Sequence, residues 1–152
     1  MNALEGLLGY VVADALTGIY HAATDAGWNV RSQLDLFQNH HKHPRSMTFD
    51  LSPAVVGIPL MLCAALGWHV VFFLVLGAAL SLCQVPHYYT HHRGGAVIRF
   101  LQRWHVILPP REHALHRRQF DRNFCILSGW NNGWMNWVLG TNSEMRRLRS
   151  PE

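Results

Sequence analysis

Histidines dominate the chemistry this chain can do. There are eleven in all; His69 stands alone, and the other ten fall in clusters: His21; His40, His41 and His43; His87, His91 and His92; and His105, His113 and His116. Imidazole is the commonest protein metal ligand, and borderline metals such as Fe, Zn, Cu and Ni accept it. His87 and His91 stand at i and i+4, His113 and His116 at i and i+3, so on helices each pair shares a face. His40 and His41 are adjacent, so on a helix their side chains diverge by about 100° and can reach two different metals. With His21 and His105 these make a candidate ligand set too large for one tetrahedral site. It suits a two-metal centre, and with few carboxylates nearby a His-rich di-iron centre fits better than a carboxylate-bridged one. Asp14, Asp25 and Asp121 are expected outside the ligands, accepting the second ring N–H and so orienting the imidazoles. An isolated HxxxH or HxxH pair is usually surface decoration; the joint pattern carries the reading. His69 and His92 are expected to be non-ligands, and His43 stays open.

These residues need elements to position them. From Leu51 to His92 there is no Asp, Glu, Lys or Arg, and only 14% of the chain is charged, against about a quarter in soluble domains. All thirteen Lys and Arg lie in two blocks, Arg31 to Arg45 and Arg93 to Arg149, the distribution expected when the positive segments stay on the cytoplasmic side of a membrane. A nucleic-acid-binding protein needs a polar fold to carry its basic patch, and this uncharged stretch excludes one. Cys63, Cys83 and Cys125 show no CxxC spacing, so neither a disulfide framework nor a thiolate zinc site is expected. Met1 to Glu5 carries no positive charge, unlike a signal or transit segment.

The length predicts one domain. Its fold class is all-α: a multi-pass membrane helical bundle with the His-rich metal site at the cytoplasmic membrane edge. An apolar helix is expected over 3–27, with Asp14, Gly18, His21 and Asp25 on one stripe facing protein, because ionisable groups at membrane depth are costly and usually functional. Residues 31–50 are polar, and Pro44 interrupts any helix there. Residues 53–85 are apolar, too long for one crossing of about 20 residues and short of two. A helical hairpin bending at Gly67-Trp68-His69 is preferred over one tilted helix, since it returns His87 and His91 to the face that holds His40 and His41. Residues 87–123 continue the polar, His-rich part. Over 124–140, Trp130, Trp134 and Trp137 at i, i+4 and i+7 predict an interfacial amphipathic face.

Taken as ordered motifs, the chain resembles the lipid-desaturase-domain family, which includes plasmanylethanolamine desaturases and the plant plastid desaturase acting on phosphatidylglycerol. The resemblance rests on Gly9-Tyr10, Asp14, Gly18, His21, Asp25 and Gly27. It continues through Phe37-Gln38-Asn39-His40-His41-Lys42-His43-Pro44 with Thr48, then Gln84 with His87-x-x-x-His91. Trp104-His105-Val106-Ile107-Leu108-Pro109 and His113-x-x-His116 follow, then Phe120-Asp121-Arg122-Asn123-Phe124-Cys125-Ile126 and Gly129-Trp130-Asn131. The family often pairs histidines where this chain has Glu112 and Arg117, and the gap from Gln84 to His87 is one residue longer than usual.

The resemblance implies a membrane desaturase using O2 and two His-coordinated iron ions, with ligands His21, His40, His41, His87, His91, His105, His113 and His116. The implied substrate is a membrane phospholipid, with plasmanylethanolamine converted to a plasmalogen vinyl ether as the leading case. Its head-group would lie against a basic face of Arg93, Arg99, Arg103, Arg111, Arg117 and Arg118, of which Arg103, Arg111, Arg117 and Arg118 are the contact candidates. No haem or flavin motif is present, so a separate electron-transfer protein, cytochrome b5-like or ferredoxin-like, is expected as donor. Two competing readings remain open from sequence: a lipid-chain hydroxylase using the same centre, and a membrane metal-binding or transport protein. The second would put ligands at mid-membrane depth, whereas here they cluster at helix ends.

Overall fold

The computed structural model describes residues 2–25, 54–64, 66–67, 69–119 and 121–140, and among these the regular structure is all helical. The polar segment with His40, His41 and His43 lies outside the described residues.

Helix α1, Asn2–Asp25, has an inverted amphipathic pattern. Its buried residues, Gly9, Ala13, Asp14, Thr17, Gly18, His21, Ala22 and Thr24, recur at helical spacing. Asp14 and His21 are fully buried, whereas Leu4 is 71% exposed and Leu7, Leu8, Leu16 and Ile19 are exposed with it. Helices α2, Ala54–Ala64, and α3, Val70–Ser81, form an antiparallel pair. The bend between them uses Gly67 at φ 82° and His69 at φ 39°; the left-handed region suits glycine and strains histidine. Small residues let the helices close up: a Cβ on Gly57 would collide with the Gly77 carbonyl and Ser81, and one on Gly9 would sit 2.6 Å from the Phe72 carbonyl oxygen. Gly9 thus seats α1 on α3.

Helix α4, Gln84–His91, continues the direction of α3 after a tightened turn at 82–83. Pro86 has no N–H to offer the preceding turn, which explains a break at this point. Two stretches, Asn2–Asp25 and Val70–His91, are long and apolar enough to cross a membrane. Then follow α5, Ala96–Arg103, α6, Pro110–Arg118, with proline at its first position, and α7, Asn132–Gly140.

Residues 124–128 correct the expectation of an interfacial face over 124–140. Phe124, Cys125, Ile126, Leu127 and Ser128 are non-helical and buried; Ile126 and Leu127 form core with Ala13, Leu76, Leu80 and Leu108, and Phe124 and Cys125 with Ala22 and Met135. Trp130, Trp134 and Trp137 are exposed as the spacing predicts, and Gly133 and Val138 are exposed with them. A non-helical buried segment must satisfy its backbone elsewhere, and the partners come from other elements. Asp14 Oδ1 accepts from the N–H groups of Ser128 and Gly129, and its Oδ2 from the N–H and side-chain amide of Asn131. Asn132 Oδ1 accepts from Cys125 N, and the Leu127 carbonyl from Leu108 N. The Asp14 carboxylate therefore clamps α1 to the segment that passes behind the histidines.

Candidate metal centre

Three elements bring five histidines and one aspartate together. The last turns of α1 supply His21 and Asp25, the helix α4 supplies His87 and His91, and α6 supplies His113 and His116. They sort into two groups whose donor atoms all lie within 4.8 Å of one another: His87, His91 and His113 in one, His21, Asp25 and His116 in the other. The i,i+4 spacing on α1 and α4 keeps both members of each pair within one group. The i,i+3 pair on α6 is divided, His113 to one group and His116 to the other, so α6 joins the two. The groups adjoin: ring centroids of His21 and His87 are 6.1 Å apart, and those of His113 and His116 5.9 Å.

Ring orientation in the second group is set by backbone carbonyls. His21 Nδ1 lies 2.9 Å from the Phe124 carbonyl oxygen and His116 Nδ1 2.7 Å from that of Arg122. An Nδ1–H donating to a carbonyl leaves the Nε2 lone pair pointing the other way. Both Nε2 atoms point at Asp25 Oδ2, at 3.7 Å for His21 and 3.2 Å for His116. Two imidazole lone pairs and a carboxylate oxygen converge stably only around a cation, a proton or a metal ion. In the first group His87 Nε2 and His113 Nε2 approach to 3.2 Å, with the His91 ring 4.7 Å from that of His113. Burial and the neighbouring imidazoles of His87, His91, His116 and His21 hold the His113 pKa well below its usual range, keeping the ring neutral, as metal coordination requires. Phe124, fully buried, packs on His21 and His116 and keeps water from that side. The donor set of five imidazoles and one carboxylate fits two borderline transition-metal ions.

Asp25, expected outside the ligands, stands differently in the structure. Instead of holding a ring from behind, it sits among the donors, and backbone carbonyls do the orienting. Asp14 is engaged by the 128–131 segment, and Asp121 lies beside Arg122, its Oδ1 3.5 Å from Nε. His105 stands outside both groups: it has φ 53°, and its Nε2 is 3.0 Å from an Arg111 guanidinium nitrogen. With Gln102, Arg103, Pro109, Pro110 and Arg111 it lines an open cavity of about 440 Å³. His69 is exposed near Glu5, and His92 stacks on Tyr88. His40 and His41 lie outside the described residues. The orienting carbonyls of Phe124 and Arg122 carry no sequence signal, since every residue has one. Asp25 had one: its i+4 spacing from His21.

Comparison with known proteins follows the same segments. The family model described as the lipid desaturase domain matches residues 10–145. Fatty acid desaturase 4, chloroplastic, of Arabidopsis thaliana is 30% identical over 86% of this chain and 46% of its own length. Plasmanylethanolamine desaturase of Myxococcus xanthus is 27% identical over 83% of this chain and 53% of its own. The chain thus spans about half the length of the curated relatives it matches. No solved structure matches it significantly.

Proposed function

This chain belongs to the lipid desaturase domain family, and on that premise we propose that it is a membrane-embedded desaturase of phospholipid chains. The observation that carries this reading is the adjacency of two buried three-donor groups at the ends of helices able to cross a bilayer. A His-rich redox centre placed there meets a lipid chain coming from the bilayer without a passage through water. We assign iron to both groups, with His40 and His41 as further ligands. When bound, the metals supply the oxidising power that an unactivated C–H bond demands. Removal of two hydrogens from adjacent carbons forms the C=C bond. O2 is reduced to two waters with two further electrons and two protons, the electrons delivered by a separate redox protein.

The chain's own residues do the rest. The carbonyls of Phe124 and Arg122 hold the His21 and His116 rings, and the Asp25 carboxylate offsets metal charge in a site otherwise built from neutral imidazoles. The inverted pattern of α1, carboxylate and imidazole inward and leucines outward, is that of a helix solvated by lipid rather than water. The confinement of Lys and Arg to two blocks supports a cytoplasmic position for the histidine-bearing end. Arg103 and Arg111 beside the open cavity, with Arg117 and Arg118 on α6, are the proposed head-group contacts. The substrate is an acyl or alkyl chain of a phospholipid, with the vinyl-ether-forming reaction on plasmanylethanolamine as the leading case; one relative's name records that substrate.

The test is elemental analysis of the detergent-purified protein, followed by mass analysis of lipids after reaction with O2 and a reduced donor. Two irons per chain and a product lighter by two hydrogens are expected. A product gaining oxygen makes it a hydroxylase; a single zinc, or no metal after reconstitution, removes the redox reading.

A further inference from the structure

Helix α5 divides its surface into three strips. Gln102 is buried, with its amide donating to the Tyr89 and Leu108 carbonyls, and Ile98 and Leu101 are half-buried on the same side. This strip fastens the helix to the protein. On one flank Val97, Phe100 and Trp104, at i, i+3 and i+7, are 70%, 61% and 66% exposed. On the other flank lie Arg99 and Arg103, both exposed, and Arg99 also donates to the Gly94 carbonyl. Three large apolar side chains beside two arginines on one short helix do not suit water: a soluble surface rarely leaves such a ridge bare. They suit the bilayer interface, where apolar side chains enter the acyl layer and cations stay at phosphate depth.

We propose that α5 lies in the plane of an anionic phospholipid surface, with Val97, Phe100 and Trp104 in the acyl layer and Arg99 and Arg103 at the phosphates. Two further observations commit the occupant to lipid rather than protein. From His92 to Pro110 there is no carboxylate, while Arg93, Arg99 and Arg103 supply only positive charge, so the strip complements lipid phosphates. The helix also follows α4 after the short Gly94-Gly95 turn, so it starts where a candidate crossing helix ends. The ridge therefore begins just past the end of the candidate crossing helix that carries His91. Its consequence is positional: the helix holds the histidine-bearing end level with the interface. The inference rests on the membrane placement proposed above but not on the desaturase chemistry.

The test uses the full chain in lipid nanodiscs with nitroxide labels at V97C, F100C, R99C or R103C, the signal of the unsubstituted chain being subtracted for its native cysteines. Labels at 97 and 100 should collide several-fold more with oxygen than with a water-soluble nickel chelate, and labels at 99 and 103 the reverse. The contrast should be larger in phosphatidylglycerol discs than in phosphatidylcholine discs, and that lipid dependence should vanish at F100C combined with R99Q and R103Q. Equal access of the nickel chelate at all four positions overturns the proposal. So does shielding of 97 and 100 from both colliders, which means a protein covers the ridge, and so does a contrast indifferent to lipid charge. Metal content measured on the same samples is separate: its failure removes the redox reading and leaves the helix placement standing.

Discussion

Asp25 Oδ2 stands 3.2 Å from His116 Nε2, at the meeting point of the first helix and α6. His21 Nε2, one turn before Asp25, faces the same oxygen. One carboxylate thus completes a donor group with two imidazoles whose other nitrogens are held by backbone carbonyls.

Replacing Asp25 by Asn keeps the shape and removes the charge. Metal content should fall to about half, because the other donor group, His87, His91 and His113, keeps its three imidazoles, and desaturation should be lost. Elemental analysis of D25N decides it; full occupancy means that Asp25 acts from outside the ligands.

Single alanines at His91 and at His21 strike different groups. Each should lower bound metal and abolish product while leaving membrane extraction behaviour unchanged, and His41→Ala should act in the same way. Unchanged metal and activity in H91A and H21A together would sink the proposed centre.

His69 serves as the control. It is exposed, and its contact with Glu5 is a surface pair 3.4 Å long, so His69→Ala should change stability by less than about 0.5 kcal/mol. Product yield should match the parent; an inactive H69A contradicts the placement of the bend at Gly67 and His69 far from the chemistry.

Asp14→Asn leaves an amide where the 128–131 segment presents only donors. An orphaned buried donor costs about 1–3 kcal/mol. Thermal unfolding in detergent should fall accordingly, and the loss should appear in metal-free protein as well, unlike that of a ligand variant.

Gly57→Ala tests the helical pair. The added Cβ meets the backbone of Gly77 and the start of the next turn at Ser81; backbone cannot step aside as a long side chain can. A loss of about 1–3 kcal/mol is expected, read as a lower melting temperature with metal stoichiometry retained in the folded fraction.

Much of the site was legible because helix geometry turns spacing into shared faces. The spacing of His87 to His91 and of His21 to Asp25 put each pair on one side of a helix, and in the structure each pair lies within one donor group. His113 and His116 share a face as well, yet they fall in different groups, because His113 meets the histidines of α4 and His116 meets His21 and Asp25 of α1. Which role Asp25 and Asp14 take could not be read in the same way. Both sit on the same stripe of α1, and only the element packed opposite each one decides it: α6 opposite Asp25, the 128–131 segment opposite Asp14. The buried course of 124–128 was hidden for a related reason. Its apolar residues and tryptophans fit an amphipathic surface equally well, until side chains from α1 and α7 satisfy its backbone.

The sequence by itself determined the chemistry available here: imidazoles and carboxylates at helical spacings, an uncharged stretch too long for one crossing, and basic residues confined to two blocks. Those properties are local, set by residue type and by the period of the helix. Only the tertiary structure decided which donors converge, which carbonyls orient their rings, and which carboxylate clamps a loop. Each of those choices depends on groups far apart in the chain, brought within hydrogen-bond distance by packing whose register no local pattern encodes.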